Sequence, residues 1–273
     1  MTADAATRRC GVLGSPVSHS LSPILHRAAY EYLDLGWSYT AHEVRETELA
    51  GFVHALDESW RGLSLTMPLK RVGLDVASRV SELAETVGAA NTLVREGDGS
   101  WSADNTDVAG LEAAIRERGV ARPESVCVWG GGATAASAVA ALDGLGTTEI
   151  HLHARDRSRA AGPLAVADRL GCTLAVLPWQ VRAECAAADL VVSSVPAGAA
   201  DVLADALAEN AGPHRILFDV VYDPWPTPLA AAWEKRGGGV ISGLDMLVHQ
   251  AAGQLKLMTG HQVPAGVLYA AIR

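Results

Sequence analysis

Val128-Trp-Gly-Gly-Gly-Ala-Thr-Ala135 is a glycine-rich turn from which the class of fold can be argued. It follows Val126-Cys-Val-Trp129, a short apolar run that reads as a buried strand, and it opens a predicted helix over Thr134–Leu145. Gly130, Gly132 and Ala135 fit the spacing G-x-G-x-x-G/A. Small residues there permit a tight turn and let the backbone approach a pyrophosphate, which then sits on the helix N-terminus. A glycine-rich turn alone is weak, but between a strand and a helix it reads as a dinucleotide seat. Gly131, Ala133 and Thr134 complete the candidate cofactor turn.

Outward from this turn, apolar runs and helical patterns alternate nearly throughout, as in parallel sheets covered by helices. Downstream, strands are predicted at Glu149–Ala154, Thr173–Leu177, Leu190–Ser194 and Ile216–Val221, separated by helical segments. Upstream, Val108–Arg118 is an amphipathic helix ended by Gly119. Before it, strands are expected at Arg9–Gly14, Trp37–Val44 and Arg61–Leu65, with helices at Ile24–Leu35, Glu46–Leu56 and Ser78–Val87. Pro68 ends the third strand, because proline cannot continue a ladder. Ala90–Arg95 and Trp101–Ala103 resemble paired strands joined by a Glu-Gly-Asp-Gly turn. The pattern returns to helix at Leu244–Gly260 and Ala265–Ile272. The expectation is an α/β chain of two units, with boundaries near 104–107 and 240–244.

Composition agrees with this class. A chain of 273 residues is comfortable for two domains, each burying its own core. The formal net charge of -9 argues against nucleic acid, which needs a basic face. No apolar run approaches the roughly 20 residues needed to span a bilayer. The polar N-terminal stretch Met1-Thr-Ala-Asp-Ala-Ala-Thr-Arg-Arg9 has no signal-peptide core. A cytoplasmic enzyme with a small-molecule substrate, monomer or homodimer, is the simplest expectation. Cys10, Cys127, Cys172 and Cys185 include no Cys-x-x-Cys and read as reduced core cysteines. His151 and His153 share one strand face, but no third ligand lies near them in sequence, so no metal is expected.

The end of the strand after the turn decides which dinucleotide is preferred. NAD enzymes place an acidic residue there for the ribose 2′-hydroxyl. This chain has Ala154-Arg-Asp-Arg-Ser-Arg159. Arg155, with Arg157 or Arg159, can hold a 2′-phosphate by charge-assisted bidentate bonds, which favours NADP. Asp156 opposes that reading if it points inward, and a solvated basic loop is the alternative.

Five irregular polar stretches remain, each where a predicted strand or helix ends. They are Gly14-Ser-Pro-Val-Ser-His-Ser-Leu-Ser-Pro23, Leu63-Ser-Leu-Thr-Met-Pro-Leu-Lys70, Gly88-Ala-Ala-Asn-Thr92, Asp104-Asn-Thr-Asp107 and Met246-Leu-Val-His-Gln250. Together they offer hydroxyls, amides, a lysine and a carboxylate, suited to gripping a small polyhydroxylated acid. Beside a dinucleotide seat, such a set points to hydride transfer at a small alcohol. Removing hydride from a secondary alcohol also removes its hydroxyl proton, so a base must lie within reach. Lys70, just beyond Pro68, suits that role, and its ammonium also stabilises a developing alkoxide. Ser20 and Ser22 have a second reading as helix N-caps. Asn91 can simply satisfy a turn, and Gln250 a backbone gap.

Gly14-Ser-Pro-Val-Ser-His-Ser-Leu-Ser-Pro-Ile-Leu-His26 resembles the N-terminal signature of shikimate dehydrogenases. Thr66-Met-Pro-Leu-Lys70, Gly88-Ala-Ala-Asn-Thr-Leu93, Asn105-Thr-Asp107 and Gly243-Leu-Asp-Met-Leu-Val-His-Gln250 resemble further signatures of that family, in its order. The resemblance implies a substrate domain over 1–106, with 244–273 packing back onto it, and an NADP-binding, doubly wound Rossmann-type domain over 107–243. It implies NADP-dependent interconversion of 3-dehydroshikimate and shikimate in aromatic amino-acid biosynthesis. By the same resemblance, Ser20 and Ser22 would bind the substrate carboxylate, and Thr66, Asn91, Asp107 and Gln250 the ring hydroxyls. Lys70 and Asp107 would flank the reacting carbon, Tyr222 would line the pocket, and Gly243 would lie on the cofactor side.

The chain departs from the family pattern in places. Ser64 and Arg27 stand where asparagine is common, Ala133 replaces a glycine and Ala136 an arginine. Ala154 and Asp156 flank Arg155 where Asn and Thr are usual. An NAD-linked quinate/shikimate dehydrogenase, an aminoshikimate-pathway enzyme and a non-catalytic NADP-binding regulatory paralogue are the alternatives. Ser22 and Arg155 argue against the first; Lys70 and Asp107, both present, argue against the last.

Overall fold

The computed structural model describes residues 7–180, 185, 188–209 and 211–273. The polar N-terminal stretch as far as Ala6 lies outside them. The described chain divides into two compact units, one of residues 1–106 and 248–273 and the other of residues 107–247.

The first unit is built on a mixed six-stranded sheet. Its strands are β1 (Arg9–Gly14), β2 (Ser38–Glu43), β3 (Trp60–Leu65), β4 (Arg79–Val80), β5 (Thr92–Arg95) and β6 (Trp101–Asp104). They run in the order β2-β1-β3-β5-β6-β4. β1 is parallel to both neighbours, whereas β5 is antiparallel to β3 and β6. Its helices are α1 (Ser22–Tyr32), α2 (Leu49–His54) and α3 (Glu82–Val87). Leu13, Leu63, Leu65, Leu69, Leu93 and Trp60 form the centre of one buried cluster.

Two helices expected here are shorter than the sequence pattern indicated. Glu46–Glu48 is a 3₁₀ turn, and the α-helix proper begins at Leu49. Arg79–Val80 pairs with Ser102–Ala103 as an edge strand rather than opening a helix. Helix α3 starts only after Ser81, whose hydroxyl accepts the Ala84 N–H at 3.1 Å as an N-cap. Local helical propensity yielded there to a sheet edge that needed a partner.

The second unit carries α4 (Asp107–Glu117), β7 (Val126–Trp129), α5 (Ala133–Gly144), β8 (Glu149–His153) and α6 (Ala161–Leu170). β9 (Thr173–Leu177), β10 (Leu190–Ser193), α7 (Ala204–Ala208), β11 (Ile216–Asp219), α8 (Pro228–Lys235) and β12 (Gly239–Ser242) follow. All six strands are parallel, in the order β12-β11-β10-β7-β8-β9. Read from β9, this is the 3-2-1-4-5-6 order of a doubly wound dinucleotide fold, with its switch point between β7 and β10. β7 and β10 are buried at every residue, as expected of central parallel strands covered on both faces. β12 begins on the last residue of Gly237-Gly-Gly239 and was hidden by that run, since glycine in series reads as loop.

Helix α9 (Gly243–Thr259) leaves the second unit, and its last two-thirds cluster with the first, as does α10 (Ala265–Ala271). Three anchors hold α9 on the first sheet. Gln254 Nε2 donates to Asn91 O at 2.9 Å, Ser64 Oγ donates to Gln254 Oε1 at 2.7 Å, and Arg61 Nε donates to Met258 O at 3.0 Å.

Candidate active site

In the first unit, strand register gathers four of the five polar stretches along one edge. Leu13 is level with Leu65, Ser64 with Thr92, and Thr92 with Asp104. β1, β3 and β6 therefore end, and β5 begins, on one line. The segments leaving that line carry Ser20 and Ser22, Thr66 and Lys70, Asn91, and Asn105 and Thr106. Backbone bonds tie them together. Ser15 N–H donates to Met67 O at 2.9 Å, Ala90 N–H to Lys70 O at 2.7 Å, and Asn91 N–H to Asp104 O at 3.1 Å.

Asn91 is 1% exposed, and its side chain joins three of these segments. Its Oδ1 accepts the Thr106 N–H at 2.8 Å and the Thr92 hydroxyl at 2.8 Å. Its Nδ2 donates to Thr106 Oγ1 at 2.9 Å and to Gln250 Oε1 at 3.2 Å. The Thr106 hydroxyl donates in turn to Gln250 O at 3.0 Å. Asn91 and Gln250 thus sit side by side in one bonded cluster. Thr106 and Gln254 belong to the same network but were not named as candidate ligands from sequence, and Ser64, marked there only as a departure from the family pattern, joins them; Gln254 lies one helical turn beyond Gln250, a spacing that could have found it.

The capping alternative for the serines does not hold. Helix α1 takes Leu21 as its N-cap, with no side-chain cap, and Ser22 is its first residue. Ser20 Oγ accepts the Ser22 N–H at 3.3 Å, and Ser22 is buried. Thr66 and Lys70 are half-buried on the turn after β3.

In the second unit, all six strands also end in register. Ser242, Asp219, Ser193, Trp129, His153 and Leu177 are successive partners across the sheet. Beyond that line lie Gly243, Tyr222, Gly130, Arg155 and the Pro178-Trp179 segment. Gly130 has φ +125°, in the region that favours glycine, and a Cβ there would strike Ser194 Oγ. A Cβ on Gly131 would strike the backbone of Arg159. Gly132 is the extended N-cap of α5 and leaves the first N–H groups without a side-chain cap. Ala135 and Ala136 are buried where α5 meets the sheet. Such a cradle fits a pyrophosphate.

Arg155, Arg157 and Arg159 are exposed after β8. Asp156 is committed to the chain itself, with Oδ1 accepting the Ser158 N–H at 2.9 Å as the cap of a 3₁₀ turn over Arg157–Ala160. That bond holds its carboxyl below the ordinary value. These residues fit a phosphorylated ribose better than a bare 2′-hydroxyl. Asp219 and Thr227 also flank this edge and escaped the sequence reading. Thr227 Oγ1 donates to Asp219 Oδ2 at 2.7 Å, and burial raises the Asp219 carboxyl.

One expectation is overturned. Cys127 and Cys185 form a disulfide, whereas Cys10 and Cys172 are free. His153 Nε2 lies 2.7 Å from Cys185 Sγ, and its Nδ1 donates to Pro178 O at 2.7 Å. The three groups also lie within the 4.8 Å reach of a cation site. A sulfur bonded to sulfur offers no thiolate, so only the dithiol form could bind one. Sequence could not pair cysteines 58 positions apart, because strand order brings them together.

Residues 12–93 match the family model "Shikimate dehydrogenase substrate binding domain", and residues 243–273 match "Shikimate 5'-dehydrogenase C-terminal domain". A curated relative, the "Shikimate dehydrogenase (NADP(+))" of Thermosynechococcus vestitus, is 35% identical over 97% of this chain and 95% of its own. The crystal structure of a shikimate 5-dehydrogenase from Mycobacterium fortuitum superposes with a TM-score of 0.86 at 43% identity, covering 99% of each chain. The Thermus thermophilus shikimate 5-dehydrogenase in complex with NADP(H) and shikimate superposes with a TM-score of 0.85 at 31% identity, covering 97% of this chain and 98% of that one.

Proposed function

This chain belongs to the shikimate dehydrogenase family, and we propose that it interconverts 3-dehydroshikimate and shikimate with NADP as the hydride carrier. The observation that carries the reading is the register of the first sheet. It sets the serine loop, the Thr66–Lys70 turn and Asn91 on one edge, with Gln250 bonded to Asn91. The chain acts on a small molecule, and among the described residues no helix is long and apolar enough to cross a membrane. The proposal includes action in the cytoplasm as a monomer or homodimer.

When bound, the nicotinamide supplies or accepts the hydride. The residues of this chain bind, orient and move the proton. Ser20 and Ser22 hold the substrate carboxylate through their hydroxyls near the start of α1, where the helix dipole favours an anion. Thr66, Asn91, Asp107 and Gln250 fix the ring hydroxyls, and Tyr222 supports the pocket wall. In the reducing direction Lys70 Nζ donates a proton to the oxygen that becomes the hydroxyl; in oxidation it takes that proton back. Asp107, with Lys70, handles the hydroxyl proton. Gly130, Gly131, Gly132, Ala133, Thr134 and Ala135 seat the pyrophosphate, with Gly243 alongside. Arg155 and Arg159 hold the 2′-phosphate.

The test is initial rate by nicotinamide absorbance, with shikimate and quinate, each paired with NADP and NAD. Turnover of shikimate with NADP alone supports the reading. Preference for quinate or for NAD replaces it with the catabolic alternative, and no rate with any pair leaves a binding protein.

A further inference from the structure

β8 and β9 are neighbours in the sheet, with His153 level with Leu177. Arg155 and Trp179 therefore each stand two residues past adjacent strand ends. The Arg155 guanidinium lies over the Trp179 ring, 5.1 Å from its centroid. Trp179 is half-buried, packing against the core cluster that contains Cys127, Trp129 and Cys185. The segment that carries it is pinned by the bond from His153 Nδ1 to Pro178 O. Among the described residues the Arg155 guanidinium makes no hydrogen bond or ion pair, and its N–H groups remain available to a ligand.

The geometry points to Trp179 as a positioning residue that sets selectivity for the 2′-phosphorylated dinucleotide by holding Arg155 over its indole face. This inference rests on the reading of Arg155 as the 2′-phosphate ligand. A flexible arginine on an open strand end loses rotamer freedom when it grips a phosphate. A guanidinium already stacked on a fixed ring has lost much of that freedom beforehand, and its planar fork keeps its edge toward the ligand. Cation–π attraction at an exposed site corresponds to roughly a two- to fivefold effect on the population of the stacked arginine. Asp156, turned onto the Ser158 N–H, does not compete for Arg155. Trp179 does not touch the phosphate itself; it acts through Arg155.

The experiment is calorimetric titration of the full chain with 2′,5′-ADP and with 5′-AMP, probes that differ by the 2′-phosphate alone. Trp179→Leu keeps an apolar contact with the core but removes the ring face, and Trp179→Phe restores a face. The expected result is 2′,5′-ADP binding weakened roughly two- to fivefold in Trp179→Leu, 5′-AMP binding unchanged, and recovery in Trp179→Phe. Equal losses for both probes, or no loss, would overturn the positioning role. Arg155→Ala separates the two ideas. If its ratio of 2′,5′-ADP to 5′-AMP affinity matches the parent, the Arg155 reading itself fails. If that ratio collapses while Trp179→Leu leaves it intact, only the role of Trp179 is lost.

Discussion

Asn91 Nδ2 donates to Gln250 Oε1 at 3.2 Å, joining two candidate substrate ligands that lie 159 positions apart in the chain. The bond matters because both carboxamides are buried, so the position of one side chain is tied to that of the other. Removing either partner takes one buried hydrogen bond from the other, at a cost of roughly 1 kcal/mol. Asn91→Ala and Gln250→Ala should therefore be non-additive, with a coupling of about 1 kcal/mol in substrate affinity. A double-mutant cycle on shikimate binding measures it, and strict additivity would mean that the two residues act separately.

Lys70→Ala should lower turnover at least roughly a hundredfold while leaving substrate affinity nearly intact, because a proton-transfer group acts mainly in the transition state. Steady-state and single-turnover rates with shikimate and NADP check this. Near-normal turnover would remove Lys70 from the mechanism.

His26 gives the first unit a pH dependence. It is fully buried, stacked 4.1 Å from Tyr39, with Nε2 donating to Gln254 Oε1 at 3.3 Å. Burial depresses its pKa from 6.5 to about 3, against a smaller opposing effect of the Gln254 bond. The unfolded chain thus binds a proton below pH 6.5 that the folded chain refuses until about 3. Stability is fully present above pH 6.5 and is lost as pH falls toward 3. Between pH 7.5 and pH 5.0 this group should cost about 2 kcal/mol, seen as the part of the urea-denaturation difference that His26→Leu abolishes. An unchanged pH difference in that variant would show that other groups govern it.

The disulfide makes a prediction about thiol counts. Alkylation of the denatured, unreduced chain should label two of the four cysteines, Cys10 and Cys172, and prior reduction should expose all four. Reduction should also lower stability by about 2–4 kcal/mol, since the bridge closes a long loop in the unfolded chain. Mass spectrometry and chemical denaturation report on each. Labelling of all four without reductant would restore the dithiol expected from composition.

Much of the fold could be read locally. The strand at Thr173–Leu177 agrees with its expected bounds, and the strand–turn–helix around Gly130 falls within a residue of expectation. Strand alternation, glycine turns and helix periodicity are short-range properties, so residues within a few positions suffice to state them. The failures came where a distant partner decided. Arg79–Val80 is strand because Ser102–Ala103 offers it a ladder, and Gly239–Ser242 is strand because β11 does.

The site divides in the same way. Motif order alone nominated Lys70, Asn91 and Gln250, because each residue type suits its chemistry. What sequence could not supply was the company each keeps: Thr106 and Gln254 on Asn91, Cys185 on Cys127, Trp179 beneath Arg155. Those pairings depend on strand order and register, set by burying two sheets' worth of apolar side chains at once. Composition and spacing determined that this chain would be a two-part α/β protein with a dinucleotide turn and a polar-acid toolkit. Which donors meet which acceptors follows from the packed chain alone, because a hydrogen bond or a stacked ring requires contact within a few ångströms, and chain distance carries no such information.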